Sequence, residues 1–139
     1  MRPILCVGET ASERADSETK HVIHDQLVSG LANVTSEEIR DIVIAYEPVW
    51  AIGTGNSATA RDVARVAKLI HEQVAALYGK DAADGMRILY GGSVNDTNAE
   101  IYLGTDRIDG LLIGGASLQA PAFAKMIDLA HTKHKSNKT

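Results

Sequence analysis

The stretch Ile44-Ala45-Tyr46-Glu47-Pro48-Val49-Trp50-Ala51-Ile52-Gly53-Thr54-Gly55 decides how the rest of the chain is read. A short apolar run ends in a carboxylate. That is where parallel α/β sheets and barrels put their chemistry, at the carboxyl ends of their strands. Pro48 restricts Glu47 to extended backbone angles and so helps to fix where the carboxylate points. The next residues, Val49 to Ile52, are apolar for a loop, and they run into glycines that permit backbone angles denied to other residues. A segment of this make-up, from Pro48 to Gly55, reads as a lid that closes over a ligand. Taken alone, the same residues also fit a glutamate that merely ends a strand and an apolar stretch that packs as core.

Outward from this stretch, three further apolar runs stand out: Ile4 to Val7, Ile88 to Tyr90 and Leu111 to Ile113, with Ile42 to Ala45 as the fourth member of the set. None alternates apolar with polar, which predicts strands buried on both faces, as in a parallel sheet. Helical patterns lie between them. Val63, Val66, Ile70, Val74 and Leu77 give one apolar face on a long helix. Thr59 with Asp62 marks its start as a near capping box, and Gly79 marks its end. Ile23, Leu27 and Leu31 form an i, i+4 row on an earlier helix, and Phe123, Met126, Ile127 and Ala130 give another amphipathic helix after the last strand. With a weaker helix around 98–103, the order is β-α-β-α-β-α-β-α, so the fold class is α/β with parallel βαβ units. The pattern allows either a doubly wound sheet or half of a barrel. Residues 1–130 make one unit without a linker or repeat, and the polar segment 131–139 is expected to fray.

The bulk properties narrow the function. The chain has 139 residues, enough for one domain with a core, and a net charge of −4. That charge gives no footprint for nucleic acid or an anionic membrane. No apolar run approaches the ~20 residues that span a bilayer. The N-terminus enters strand-like sequence at once, which argues against a signal peptide. Cys6 is the single cysteine, so no internal disulfide can form and a reduced, cytoplasmic location is expected.

Two glycine pairs follow the last two strands: Tyr90-Gly91-Gly92-Ser93 and Gly114-Gly115-Ala116-Ser117. Glycines directly after strands let backbone N–H groups approach an anion closely, and Ser93 can add a hydroxyl donor. Each pair alone is more often a tight turn. Together, after the last two of four parallel strands, they match the phosphate site that barrels build from their final two strand–helix loops.

At this point the sequence resembles the triosephosphate isomerase family. The segments AYEPVWAIGTG (45–55), ILYGGSV (88–94) and LLIGGASL (111–118) match that family's signatures in order and spacing, and ILCVGE (4–9) is similar to one of its strands. The resemblance covers about Ile4 to Ala130. It implies a partial (β/α)8 barrel of four βα units, similar to the fifth to eighth strands, acting on a triose phosphate without a cofactor or metal. By position, Glu47 resembles the base that moves a proton between adjacent carbons; this family is itself a standard example of a glutamate base paired with a neutral histidine electrophile and a closing loop. Pro48, Val49, Trp50, Ala51, Ile52, Gly53, Thr54 and Gly55 resemble the lid. Gly53, Ser93, Gly114 and Gly115 match positions that grip the substrate phosphate. Tyr90 resembles a latch for the closed lid, and Glu9 a partner for the open lid near Trp50.

The match is partial. Barrels of this kind take ~250 residues, and the family's electrophilic histidine and its lysine lie in the first half, which no motif here matches. The expected partner is therefore that first half, or a second copy closing the barrel by self-association. Other candidate residues read as structural. His21 with His24, and His131 with His134, have i, i+3 spacing that could hold a metal, but no third ligand converges and both pairs read as solvated surface. His71 reads as the edge of the long helix's apolar row, and Cys6 as a buried small side chain with no base nearby in sequence. Two rivals to the half-enzyme reading are a non-catalytic phosphate-binding module that pairs with itself and another phosphate-binding barrel enzyme.

Overall fold

Every residue of Val43–Tyr46, the strand β2, is buried, because neighbours pair with it on both edges. In this computed structural model, which describes residues 1–136, β1 is Ile4–Val7, β3 is Arg87–Tyr90 and β4 is Gly110–Leu111. The four strands form one parallel sheet in the order β1-β2-β3-β4. A doubly wound sheet reverses its strand order at a switch point. Strict sequential order is what a barrel wall requires, and it settles the choice the sequence left open.

Register assigns the faces. Ile4, Val43 and Arg87 are level with one another, as are Leu5, Ile44 and Ile88, then Cys6, Ala45, Leu89 and Gly110, then Val7, Tyr46, Tyr90 and Leu111. Side chains alternate faces along a strand, so Val7, Ile44, Tyr46, Ile88 and Tyr90 share the side that meets the helices in one core. The other side is largely bare: Ile4, Cys6 and Arg87 are exposed and Leu89 is half-buried. The expectation of strands buried on both faces therefore holds for β2 alone. β1 and β3 alternate in burial because nothing among the described residues covers their second face.

Among the described residues six α-helices connect and follow the strands: α1 Ala11–Ala15, α2 Thr19–Gly30, α3 Ala60–Tyr78, α4 Lys80–Gly85, α5 Ala99–Leu103 and α6 Ala120–Ser136. The long helix α3 lays Val63, Val66, Ile70 and Val74 of its expected row into the core together with Ala67, while Leu77, the last member of that row, is exposed at the end of the helix. Burying each large branched chain there is worth roughly 1.5–3 kcal/mol, so Ile70→Ala would cost about 2–5 kcal/mol. Thr59 caps α3 by accepting from the Asp62 backbone N–H at 3.1 Å. Gly79 stops it at φ +91°, a left-handed value that a side chain would strain. α2 buries Ile23 and Leu27 and closes with Leu31. Gly30 permits its end to rest on Leu5: an added Cβ would lie 2.7 Å from the leucine methyls.

The end of the chain departs from expectation. β4 is only two residues long, so Ile113 lies beyond it, half-buried against the core. α6 buries Met126 and rests Leu129 on the core, while Phe123, Ile127 and Ala130 face outward. The helix packs on α5 and on the short turn at Gly115–Leu118, and Phe123 and Ile127 of its apolar row stay exposed. α6 also continues to Ser136, past the boundary expected at residue 130. Residues 137–139 of the expected frayed tail lie outside the described residues. No helix among the described residues is long and apolar enough to cross a membrane.

Candidate active site

Glu47 directly follows β2, and its backbone N–H still donates to Val7 O at 2.7 Å, continuing the ladder one step past the strand. It follows Ala45 by two residues, so its side chain stands on the bare face of the sheet, above Cys6 and Leu89. Glycines flank it on both sides. A Cβ on Gly8 would collide with the Glu47 carbonyl, and one on Gly91 would lie 2.7 Å from Glu47 Cγ and 2.8 Å from Oε1. A larger residue at 91 would press on the carboxylate, and one at 8 on the backbone that carries it.

Cys6 is not the buried side chain the sequence suggested. It is exposed on the bare face, with its thiol close enough to the Glu47 carboxylate for the two to act on each other. Partial burial pushes the thiol pKa up, and the nearby carboxylate pushes it the same way. The two residues are far apart in sequence, and only the pairing of β1 with β2 brings them together.

The proposed lid is fastened at its entry, middle and exit. At its entry, Val49 N–H donates to Glu9 O at 3.0 Å, and the Trp50 indole N–H donates to Glu9 Oε1 at 3.1 Å. Glu9 is only 2% exposed, and its charge is met by Tyr46 Oη, 3.1 and 3.2 Å from its two oxygens. Burial, then the nearby Glu9 charge, pushes the Tyr46 hydroxyl far above its usual range. At mid-lid, the Ser93 N–H donates to Ala51 O at 3.2 Å and the Ser93 hydroxyl donates to the same oxygen. The tip, 52–57, is exposed, and Gly53 and Gly55 take left-handed φ values of +66° and +78°. Thr54 ties the tip together, donating its hydroxyl to Trp50 O at 2.9 Å.

At the lid's exit, Ala58 is buried and its carbonyl accepts from Tyr102 Oη at 2.8 Å. Tyr102 stacks on Tyr90 with ring centroids 4.3 Å apart. Tyr90 is fully buried on the helix side of the sheet, opposite Glu47. Its hydroxyl makes no hydrogen bond of ordinary geometry, although the Tyr102 hydroxyl and the Ala58 backbone N–H lie close enough to act on it. Burial is the main cause of its raised pKa.

The structure thus joins Glu9 to Trp50, Glu47 to Gly91 and Ser93 to Ala51. Gly114 and Gly115 lie in the loop after β4, with no atom within 4 Å of where a Cβ would stand. That leaves room for a ligand to meet backbone. Gly53 is equally open, at the exposed tip of the proposed lid. Arg14, Tyr102 and Gly8 went unnoticed in the sequence. Tyr102 carried no signal beyond its place in a helix, and Arg14 reads as one surface charge among many.

His21, His24, His131 and His134 are exposed, and His24 Nδ1 lies 2.7 Å from Gln73 Oε1. His71 pairs with Asp84 at 2.7 Å, linking α3 to α4. No group of three His, Cys, Asp or Glu side chains among the described residues could hold a metal ion. A cavity of about 670 Å³ lies between α2 and α3 rather than at Glu47, and charged side chains including Arg14, Lys20, Asp62, Arg65 and Glu72 line it.

Comparison with known proteins places this geometry. The chain is 48% identical over 128 residues to the triosephosphate isomerase of Thermoanaerobacter sp. (strain X514), covering 92% of this chain and 52% of that protein. It is 50% identical over 125 residues to the triosephosphate isomerase of Borrelia duttonii (strain Ly), covering 90% and 49%. Against the enzyme of Solibacter usitatus (strain Ellin6076) it is 46% identical over 128 residues, covering 92% and 51%. The chain therefore spans about half the length of the curated relatives it matches. The family model for triosephosphate isomerase matches residues 1–130, and on that match the chain belongs to the triosephosphate isomerase family.

Proposed function

We propose that this chain carries the base-bearing half of an isomerase site that interconverts glyceraldehyde 3-phosphate and dihydroxyacetone phosphate, with Glu47 as the base. The observation that carries the reading is the placement of Glu47: past the end of β2, on the open face, with its side chain against Gly91 and its backbone carbonyl against Gly8, and directly before the lid. In the proposed reaction, the carboxylate takes a proton from the carbon beside the carbonyl, and the electron pair moves onto the carbonyl oxygen. The neighbouring hydroxyl then passes its proton to that oxyanion, and as its own oxygen becomes the new carbonyl the protonated Glu47 returns its proton to the former carbonyl carbon, which completes the isomerisation. Such a step needs an electrophile at the developing oxyanion as well as a base. A closed lid excludes water and discourages loss of the phosphate from the intermediate.

Gly53, Ser93, Gly114 and Gly115 are the proposed phosphate donors. Gripping the phosphate requires the Ser93 donors to exchange Ala51 O for the ligand or to share it, so lid position and phosphate binding are linked. The electrophilic histidine and the lysine that the family resemblance calls for have no match in this sequence. The chain alone is therefore expected to be inactive, and its partner is the complementary half barrel or a second copy on the bare sheet face. A cytoplasmic location fits the exposed thiol of Cys6.

The test is complementation. The 139-residue chain is mixed with the first half of a related triosephosphate isomerase and assayed in both directions. Turnover that appears on mixing and falls about 10²- to 10⁴-fold with Glu47→Gln supports the reading. Turnover on mixing that survives Glu47→Gln removes Glu47 from the mechanism.

A further inference from the structure

Arg14 makes a contact that the proposed reaction does not require. Its guanidinium carbon lies 3.9 Å from the centroid of the Trp50 ring. Its Nη2 lies 3.1 Å from Asp62 Oδ2, in the first turn of α3. The same Asp62 oxygen accepts from the Thr59 hydroxyl at 2.9 Å, which fixes the carboxylate at the cap of α3. Arg14 therefore touches the entry of the lid with its flat face and, with its edge, the first turn of the helix that follows the lid.

The short helix α1 makes this two-sided hold possible. It begins just after Glu9, and a reciprocal capping box between Thr10 and Glu13 fixes its first turn. Glu9 grips the indole N–H from one side of that turn, and Arg14 covers the ring face from the other. An exposed ion pair alone contributes little. A planar guanidinium held at face and edge together defines a geometry that a point charge cannot.

We propose that Arg14 is a positioning residue for the lid, holding Trp50 in place by stacking on it while anchored to Asp62. This rests on reading 48–55 as a lid. A partly exposed cation–π contact is worth roughly a two- to fivefold shift in an equilibrium. Lid motion that carries the indole away from Glu9 breaks the stack as well, so Arg14 biases the lid toward the position seen here.

Trp50 is the single tryptophan, so its fluorescence reports the contact directly. The experiment measures acrylamide quenching and the emission maximum of the 139-residue chain as wild type, Arg14→Met, Arg14→Lys and Asp62→Asn, with circular dichroism to verify folding. Arg14→Met is expected to raise the quenching constant about two- to fivefold and to shift emission to the red. Arg14→Lys restores part of the protection, because it keeps the charge without the flat face. A residue that only braces α1 against α3 would lower the thermal midpoint and leave the indole signal unmoved. Unchanged quenching in folded Arg14→Met overturns the proposal. Where that variant does not fold, Asp62→Asn decides: it must raise quenching, and unchanged quenching overturns the proposal equally. The readout needs no turnover, so it can fail where the isomerase reading succeeds and succeed where that reading fails.

Discussion

Gly91 faces the Glu47 side chain so closely that a single added methyl would lie 2.7 Å from its Cγ. A contact that short forces one of the two to move, and the free end of the glutamate moves more easily than the sheet. Gly91→Ala is therefore expected to leave the chain folded and to displace the carboxylate by a fraction of an ångström to an ångström. Misplacement of that size costs on the order of 10²-fold in turnover, read in the mixture of complementary halves. Gly8→Ala behaves differently, because its Cβ collides with the Glu47 backbone carbonyl, which cannot swing away. That variant should lose about 1–3 kcal/mol or more in urea unfolding.

The Cys6 thiol reports the charge on Glu47. Its pKa is raised by burial first and by the Glu47 carboxylate second. Glu47→Gln removes the charge and leaves the burial, so the thiol pKa should fall part of the way back. Alkylation by iodoacetamide at mildly alkaline pH, which proceeds through the thiolate, should be faster in Glu47→Gln than in wild type. Equal rates would mean that the two side chains do not meet in solution.

Tyr102 tests how the exit of the lid is held. Tyr102→Phe deletes the hydrogen bond to the Ala58 carbonyl and leaves that acceptor buried. The expected loss is about 1–3 kcal/mol, a fall of several degrees in the thermal midpoint for a chain of this size. The Tyr90 stack should survive, since the ring is retained.

Two exposed carboxylates set part of the acid response. The Lys80 ammonium first, then His71, hold Asp84 below its ordinary value of 3.8. The Thr35 backbone N–H and hydroxyl hold Glu38 below 4.5. Both folded values are depressed, so the stability these groups lend is fully present above the ordinary values and is lost as pH falls through the depressed ones. The urea midpoint should therefore drop below about pH 4, with a shallower slope in Asp84→Asn and Glu38→Gln. Both groups are exposed, so the effect is small.

Much of this was legible in the sequence because the signals were local. The row on α3, the Thr59 cap, the Gly79 stop and the carboxylate at the end of β2 all follow from spacings within a few residues. The pairing of Glu9 with Trp50 was readable only through family resemblance. Contacts between distant segments were hidden: Cys6 against Glu47, Arg14 over Trp50, Tyr102 on Ala58. The outward turn of Phe123 and Ile127 was hidden for another reason. Periodicity reports that a helix has an apolar face, and not how much of that face finds a neighbour.

The most direct test of the central claim is an isomerase assay of the pure 139-residue chain, alone and as Glu47→Gln. The account predicts no turnover above buffer for either, because a positioned base without an electrophile falls far short of the family's rate. Turnover by the chain alone that Glu47→Gln abolishes would contradict it, because the electrophile would then have to come from these residues or from a second copy of them.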